Sequence, residues 1–173
     1  MNHAALLVVD VQNGMFPASD PVYSGEDLLN RIKGLIEQAR SCQAQVIYVQ
    51  HNEGPGEQLE TGTADWEIHP SIAPESEDPV IQKFVPDSFH ETELQELLKQ
   101  KDIQRLVIAG IQTDLCVEAT SKRASELGYD VTIARDAHST WGQNGQSAAE
   151  IIEEYNHRFQ TFAKLEDASR IRF

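Results

Sequence analysis

Short, continuous apolar runs are the feature of this sequence that most limits its fold. Residues 4–9 read Ala-Ala-Leu-Leu-Val-Val, and similar runs occupy residues 46–49 and 106–109. A strand that faces water on one side alternates polar and apolar residues, so continuous runs of this length indicate strands that are covered on both faces. We therefore expect a parallel sheet enclosed between layers of helices.

Segments with helical periodicity separate these runs. Residues 25–40 carry an apolar residue every three or four positions with charged residues between them, which predicts an amphipathic crossover helix. Further helices are predicted for residues 91–101, for the segment that ends at Gly128, and for residues 146–157. The predicted strands are residues 4–9, 46–49, 79–82, 105–109, 130–134 and 158–162. This alternation predicts a single α/β domain over residues 1–173, doubly wound, with three α/β/α layers.

The charge and the motifs that are missing exclude several function classes. Fourteen Lys and Arg stand against 28 Asp and Glu, a formal net charge of −14, which would repel nucleic acid and anionic membranes. Neither a G-x-G-x-x-G turn after the first strand nor a phosphate-binding G-x-x-x-x-G-K-S/T motif occurs. We therefore expect no cofactor and no nucleic-acid partner.

Cysteine usage and the first residues bear on the compartment. Cys42 and Cys116 are too few for a disulfide framework, and they are expected to be free thiols in a reducing environment. The first apolar run is far shorter than a membrane span and lacks the features of a secretion signal. The expected location is the cytoplasm, with no membrane contact.

Polar side chains follow three of the predicted strands. Asp10 follows the first strand, His51 lies at the end of the second, and Lys83 follows the third. A lone lysine is usually a solvated surface charge, and an acidic residue at a strand end can simply cap the following loop. A parallel sheet, however, gathers its carboxyl ends at one edge, where open α/β sheets bind ligands.

Cys116 follows the fourth strand, in the predicted first turn of the next helix. Free N–H groups and the helix dipole favour a thiolate there, and a nearby Lys83 would add to this effect, although Asp10 would oppose it. A lowered thiol pKa and a nucleophilic role are therefore one interpretation. The other is a small, buried apolar residue. Together, a carboxylate, an ammonium group and a thiol could supply a base, a positive charge and a nucleophile for attack on a carbonyl.

The long segment of residues 52–78 lacks periodicity and is predicted to be a functional loop or lid. Trp66 within it is either a wall of a pocket or an anchor that holds the loop to the body of the protein. Phe16, in the loop after the first strand, is either a pocket wall or a hydrophobic plug.

At this point the sequence resembles the isochorismatase-like cysteine hydrolase superfamily, which includes nicotinamidases and N-carbamoylsarcosine amidohydrolases. The matching segments, spread over nearly the whole chain, are residues 6–16 (LLVVDVQNGMF), 49–51 (VQH), 62–70 (GTADWEIHP), Lys83 with 88–89 (SF), 110–120 (GIQTDLCVEAT), 128–131 (GYDV) and 136–139 (DAHS).

The resemblance implies a fold, an activity and a set of site residues. It implies a six-stranded parallel sheet in the order 3-2-1-4-5-6, and Asp10, Lys83 and Cys116 as a catalytic triad. It also implies a cis peptide bond between Ile111 and Gln112, with the N–H groups of Gln112 and Cys116 forming an oxyanion hole. The residues expected to line the substrate pocket are Phe16, His51, Trp66, Phe84 and Phe89.

Two departures from family members refine the expected activity. Metal-binding nicotinamidases carry an Asp-x-His pair, whereas this chain has His51-Asn-Glu at that strand end, so no metal is expected. Isochorismatases cleave a vinyl ether without a cysteine, so Cys116 favours C–N hydrolysis of a small amide or ureido compound through a thioester. The alternatives are a vinyl ether hydrolase and a non-catalytic small-molecule-binding or redox-responsive protein. By the same resemblance, a homodimer or homotetramer is expected.

Overall fold

The computed structural model describes residues 2–173 as an open sheet with helices on both of its faces. The strands are β1 (Ala4–Val9), β2 (Gln45–His51), β3 (Val80–Lys83), β4 (Arg105–Ile111), β5 (Asp130–Ser139) and β6 (Lys164–Glu166). The helices are α1 (Gly25–Ser41), α2 (Leu94–Gln100), α3 (Glu118–Glu126) and α4 (Ala148–Phe159). A π-helical turn, Thr113–Val117, joins β4 to α3, and short 3₁₀ turns cover Asn13–Met15 and Pro70–Ile72.

The six strands form one sheet in the order β3-β2-β1-β4-β5-β6, and every neighbouring pair is parallel. This confirms both the parallel sheet and the order that the family resemblance implied. The order reverses between β1 and β4, so the loops after these two strands lead to opposite faces of the sheet. In open α/β sheets the carboxyl edge at such a reversal is the expected place for a binding site.

Two separate apolar clusters cover the two faces of the sheet. One contains the inward side of α1 together with Leu6 and Val8 of β1 and with Ile171 near the end of the chain. The other contains Leu7 of β1 with apolar residues of α2, α3 and α4. Because neighbouring residues of β1 enter opposite clusters, this strand is buried on both sides, as its continuous apolar sequence predicts.

The predicted sixth strand, residues 158–162, is wrong. Helix α4 continues to Phe159, whose buried ring lies at helical spacing from Ile151 and Tyr155, and β6 begins only at Lys164. The helix starts at Ala148 because the side chain of Ser147 accepts from the Glu150 N–H and the Glu150 carboxylate accepts from the Ser147 N–H. Residues 158–162, Arg-Phe-Gln-Thr-Phe, are compatible with a strand and with a helix end, and burial of Phe159 favours the helix.

Three strands are longer than the sequence indicated, and all three extend toward the carboxyl edge. Strand β2 runs on to His51. Strand β4 includes Gly110 and Ile111, and β5 runs on to Ser139 through a shift of register between Ile108 and Gly110. Gly110 is required at this position, because its φ is +135° and an added Cβ would lie 2.1 Å from the Val9 carbonyl oxygen. The close contact between β1 and β4 at this point brings their ends together.

Residues 52–78 are held to the body by side-chain amides. The buried Gln12 and Gln50 side chains both donate to the carbonyl oxygen of Trp66, at 2.8 and 2.9 Å, and the Trp66 indole N–H donates to Asn52 Oδ1 at 2.9 Å. Asn52 Oδ1 also accepts from Thr61 at 3.0 Å. These contacts place Trp66 as an anchor of the loop, the second of the two interpretations that the sequence left open.

Among residues 2–173, no helix combines the length with the apolar character that crossing a bilayer requires.

Candidate active site

Asp10, Lys83 and Cys116 meet at the carboxyl edge of the sheet. Asp10 follows β1, Lys83 is the last residue of β3, and Cys116 lies in the π-helical turn after β4. Because β3, β2, β1 and β4 are consecutive neighbours and parallel, their carboxyl ends lie side by side. The structure therefore brings together the three residues to which the sequence assigned the chemistry.

The Lys83 ammonium group lies at the centre of this group. Its Nζ is 2.8 Å from Asp10 Oδ2, 3.3 Å from Cys116 Sγ and 2.9 Å from His51 Nδ1. The side chains of Lys83 and Asp10 are fully buried. An ammonium group has three protons and no lone pair, so one ion-pair partner and two hydrogen-bond partners match its three protons in number. Lys83 is thus a buried charge and not the solvated lysine that a strand end usually carries.

The backbone at Asp10 is held in a conformation that non-glycine residues seldom adopt. Its φ is +52°, and its N–H donates to the Val49 carbonyl oxygen at 3.0 Å. Such a conformation costs about 1–3 kcal/mol and persists where the surroundings impose it, commonly at functional sites. Within residues 2–173 neither carboxylate oxygen of Asp10 has a hydrogen-bond partner, and Oδ2 forms the ion pair with Lys83. Oδ1 can accept a proton from a neighbouring group.

The expected lowering of the Cys116 thiol pKa is wrong for the free protein. Burial raises the pKa of this thiol well above its usual value, the Asp10 carboxylate raises it further, and Lys83 opposes both effects without overcoming them. Cys116 is only 9% exposed and lies in a π-helical turn instead of the first turn of an α-helix. The thiol is therefore protonated at rest, and it needs a base to become a nucleophile.

The turn before Cys116 has the backbone that the resemblance implied. The peptide bond between Ile111 and Gln112 is cis. The Gln112 carbonyl oxygen accepts from the N–H groups of Leu115 and Val117, at 3.2 and 3.0 Å, which closes the turn around the cysteine.

His138, a buried residue to which the sequence analysis assigned no role, contacts this turn through Thr113. The Thr113 hydroxyl lies 2.8 Å from His138 Nδ1, and His138 Nε2 lies 2.8 Å from Asn156 Oδ1. The Asn156 amide donates to the Arg135 carbonyl oxygen at 3.0 Å, which fixes its orientation. Nε2 of His138 therefore carries the proton, and Nδ1 accepts from Thr113. The pKa of His138 is lowered to about 4, chiefly because the ring is buried.

Asp114, in the same turn, connects the segment that holds Cys116 to the loop after β5. Its Oδ1 accepts from the Thr140 hydroxyl at 2.6 Å and its Oδ2 from the Gln143 side-chain amide at 2.5 Å. These contacts join residues that are far apart in the sequence, and no local spacing indicates them.

The five pocket candidates lie in different environments. Phe16 is half-buried and its ring makes an edge contact with His69, with centroids 4.8 Å apart. Phe84, next to Lys83, is 73% exposed. Phe89 is buried in the apolar cluster that includes α2, α3 and α4, and its ring stacks on Tyr129, the residue that precedes β5. Of the five, only the His51 side chain hydrogen-bonds to a side chain of the Asp10, Lys83 and Cys116 group, and Trp66 anchors the loop as described above.

Within residues 2–173, no cluster of three or more His, Cys, Asp or Glu side chains is arranged to hold a metal ion. His51 and Glu53 lie near each other, 3.9 Å between Nε2 and Oε1, but they have no third partner of this kind.

The three-layer fold and a buried acid, lysine and cysteine at the carboxyl edge define an α/β protein of the cysteine hydrolase type. The family model described as isochorismatase domain matches residues 4–167. The chain therefore belongs to the isochorismatase family.

Comparisons with individual proteins agree with this assignment. A streptothricin hydrolase from Streptomyces noursei is 35% identical over 137 residues, which is 79% of this chain and 50% of that protein. Nicotinamidase 3 from Arabidopsis thaliana is 27% identical over 183 residues, covering 98% of this chain and 87% of that one. The crystal structure of a putative isochorismatase hydrolase from Oleispira antarctica superposes with a TM-score of 0.90 at 27% identity, covering 97% and 95% of the two chains. The chain spans about half the length of the two streptothricin hydrolases that it matches.

Proposed function

We propose that this protein is a cysteine amidohydrolase that cleaves the C–N bond of a small amide or ureido compound through a thioester. The observation that carries the proposal is the position of the Lys83 ammonium group, within 3.3 Å of both the Asp10 carboxylate and the Cys116 sulfur. Among the similar proteins, the nicotinamidase is named for an amide substrate, which supports this reaction class.

Asp10 is the base in the proposed first step. A buried thiol with a raised pKa does not ionise by itself near neutral pH, so it must lose its proton to a neighbouring acceptor as it attacks. Asp10 Oδ1 is free to take that proton. The Cys116 sulfur then bonds to the carbonyl carbon, and the carbonyl oxygen becomes an oxyanion that the N–H groups of Gln112 and Cys116 would stabilise.

The same carboxyl group completes the cycle as an acid and then again as a base. When the oxyanion collapses, the C–N bond breaks and the proton on Asp10 moves to the leaving nitrogen, which leaves a thioester on Cys116. A water molecule then attacks the thioester carbon through its oxygen, and Asp10 takes a proton from that water molecule. Collapse of this second intermediate breaks the C–S bond, and the sulfur regains its proton from Asp10.

Lys83 has an electrostatic role throughout. Its charge balances the buried Asp10 carboxylate and stabilises the thiolate as the thiol loses its proton. In the proposed cycle every proton transfer is assigned to Asp10, and Lys83 takes part in none of them.

A screen of primary amides and ureido compounds tests the proposal, with release of ammonia or amine as the readout. Turnover of at least one compound is expected for the wild type and for Cys42→Ala, the matched control, because Cys42 is exposed just beyond the end of α1. Cys116→Ala should abolish that turnover. Binding without turnover of any compound would favour a binding protein, and hydrolysis of a vinyl ether that survives Cys116→Ala would favour the other alternative.

A further inference from the structure

Among residues 2–173, His51 is the one residue outside the proposed triad whose side chain hydrogen-bonds to the Lys83 ammonium group. The two residues are paired in register on neighbouring parallel strands, β2 and β3, so their side chains project from the same face of the sheet at its carboxyl edge. Lys83 Nζ lies 2.9 Å from His51 Nδ1. An ammonium group can only donate, so His51 Nδ1 must accept, and the proton of the neutral ring must be on Nε2.

The position of His51 is fixed by its own neighbours. The fully buried Gln12 side chain accepts from the His51 N–H at 3.0 Å and donates to the His51 carbonyl oxygen at 2.9 Å. On the other side of the ring, Nε2 faces Glu53 Oε1 at 3.9 Å, and the Glu53 carboxylate is itself held by the Leu59 N–H at 2.7 Å. Gln12 thus holds the His51 backbone while Glu53 lies at the far side of the ring, and together they keep the imidazole beside Lys83.

We propose that His51 is a positioning residue for Lys83, accepting its third ammonium proton and so directing the other two toward Asp10 and Cys116. This inference rests on the proposed function, and it goes beyond the pocket-wall role that the sequence suggested for His51. Without the acceptor, the ammonium group would keep a buried, unpaired proton and could rotate away from the sulfur.

Protonation of His51 would end this role. An imidazolium carries a proton on Nδ1, so it cannot accept from Lys83, and its charge repels the ammonium group. The charged groups that face His51 are Lys83, which opposes its protonation, and Asp10 and Glu53, which favour it. Burial and Lys83 prevail, and the pKa of His51 lies below its ordinary value of 6.5. The lysine should therefore be correctly placed at neutral pH and become displaced as the solution is made acidic.

Nitrogen-15 NMR of the histidine rings tests the geometry without any substrate. His51→Asn identifies the His51 signals by their loss. In the wild type, Nδ1 should show the shift of an unprotonated nitrogen and Nε2 that of a protonated one, and this tautomer should persist below pH 6.5. A proton on Nδ1 at neutral pH would overturn the inference. Because no turnover is needed, the result stands apart from success or failure of the proposed amide hydrolysis.

Two substitutions then distinguish a His51 side chain that positions Lys83 from one that only lines the substrate pocket. In His51→Asn the amide oxygen can take the place of Nδ1 and cannot be protonated, so kcat should stay within a few-fold of wild type and the acidic limb of its pH profile should move to lower pH. His51→Leu removes the acceptor, and kcat should fall by about 10²-fold with a smaller change in KM. His90→Asn is the matched control at an exposed histidine and should change neither. A change confined to KM in both His51 variants, with an unmoved acidic limb, would contradict the inference.

Discussion

Lys83 illustrates at the residue scale how a buried charge depends on its partners. The ion pair with Asp10 is fully buried, and removing one partner of such a pair leaves the other without compensation. A lysine at a strand end would ordinarily be expected to matter little for folding. Here the structure indicates that it matters for both folding and the proposed chemistry.

We predict that Lys83→Met lowers stability at neutral pH by about 3–5 kcal/mol and abolishes turnover, because the Asp10 carboxylate is then buried alone. The double variant Asp10→Asn with Lys83→Met should recover much of the stability and none of the activity. Urea unfolding measures the first effect, with Lys122→Met on the exposed side of α3 as the control. Wild-type stability of the single Lys83→Met variant would show that the pair is not the buried contact described here.

The two cysteines are predicted to differ in alkylation. Cys42 is exposed, whereas Cys116 is buried and its thiol pKa is raised, so limiting iodoacetamide should modify Cys42 first. Loss of activity should nevertheless follow the slower modification of Cys116. Peptide mapping at several times, compared with residual turnover, measures both. Faster labelling of Cys116 would mean that the thiol is already ionised in the free protein, and inactivation that follows Cys42 would contradict the proposed mechanism.

At the scale of elements, the π-helical turn depends on contacts from β5 and α4. Hydrogen bonds from Thr113 to His138 and from His138 to Asn156 join the π-helical turn, β5 and α4. All three residues are buried, so each of these hydrogen bonds replaces one that water could have made in the unfolded protein. The turn that holds Cys116 should therefore lose support when His138 becomes protonated.

This contact predicts a loss of stability in acid. The pKa of His138 is about 4 in the folded protein, below the value of about 6.5 for an unfolded chain, so the unfolded state binds the proton more readily between these values. Stability should be unaffected by His138 above pH 6.5 and should fall by roughly 3 kcal/mol as the pH drops toward 4. His138→Gln cannot be protonated and should lose less stability over the same range. Equal losses in the two proteins, measured by urea unfolding at each pH, would refute the assignment.

The sequence predicted the elements where burial on two faces leaves a simple pattern. The continuous apolar run of β1 and the periodicity of α1 were sufficient to place both. The end of α4 was missed because Phe159 fits either a strand or a helix until its packing is known. Their positions at predicted strand ends were sufficient to select Asp10 and Lys83 as site candidates. The contact between Lys83 and His51 depends on the register of β2 and β3, which no local spacing encodes.

At the scale of the whole molecule, a strongly acidic chain encloses a site whose positive charge comes from one buried lysine. The chain carries a formal charge of −14, yet the proposed centre contains a buried cation that holds a carboxylate and a thiol. The positive charge that many hydrolases obtain from a metal ion would here come from the chain itself, through Lys83. This is a physical reason to expect activity without a metal.

We accordingly predict that prolonged dialysis against a chelator leaves turnover unchanged, because Asp10, Lys83 and Cys116 would supply base, charge and nucleophile. The dialysed enzyme is assayed alone and with added zinc, manganese or iron. A loss of activity that one of these ions restores would contradict this prediction, and His51 with Glu53 would then be the first residues to investigate as ligands.

The central claim is that Cys116 forms a covalent bond to the acyl part of the substrate, and intact-protein mass spectrometry tests it most directly. Rapid acid quenching of the enzyme during turnover should trap a mass increase equal to the acyl group. Peptide mapping should place the increase on Cys116, and hydroxylamine should remove it, as expected for a thioester. The increase should be absent in Cys116→Ala and present in Cys42→Ala. Continued turnover of the same amide by Cys116→Ala, or an acyl group found on another residue, would contradict the account.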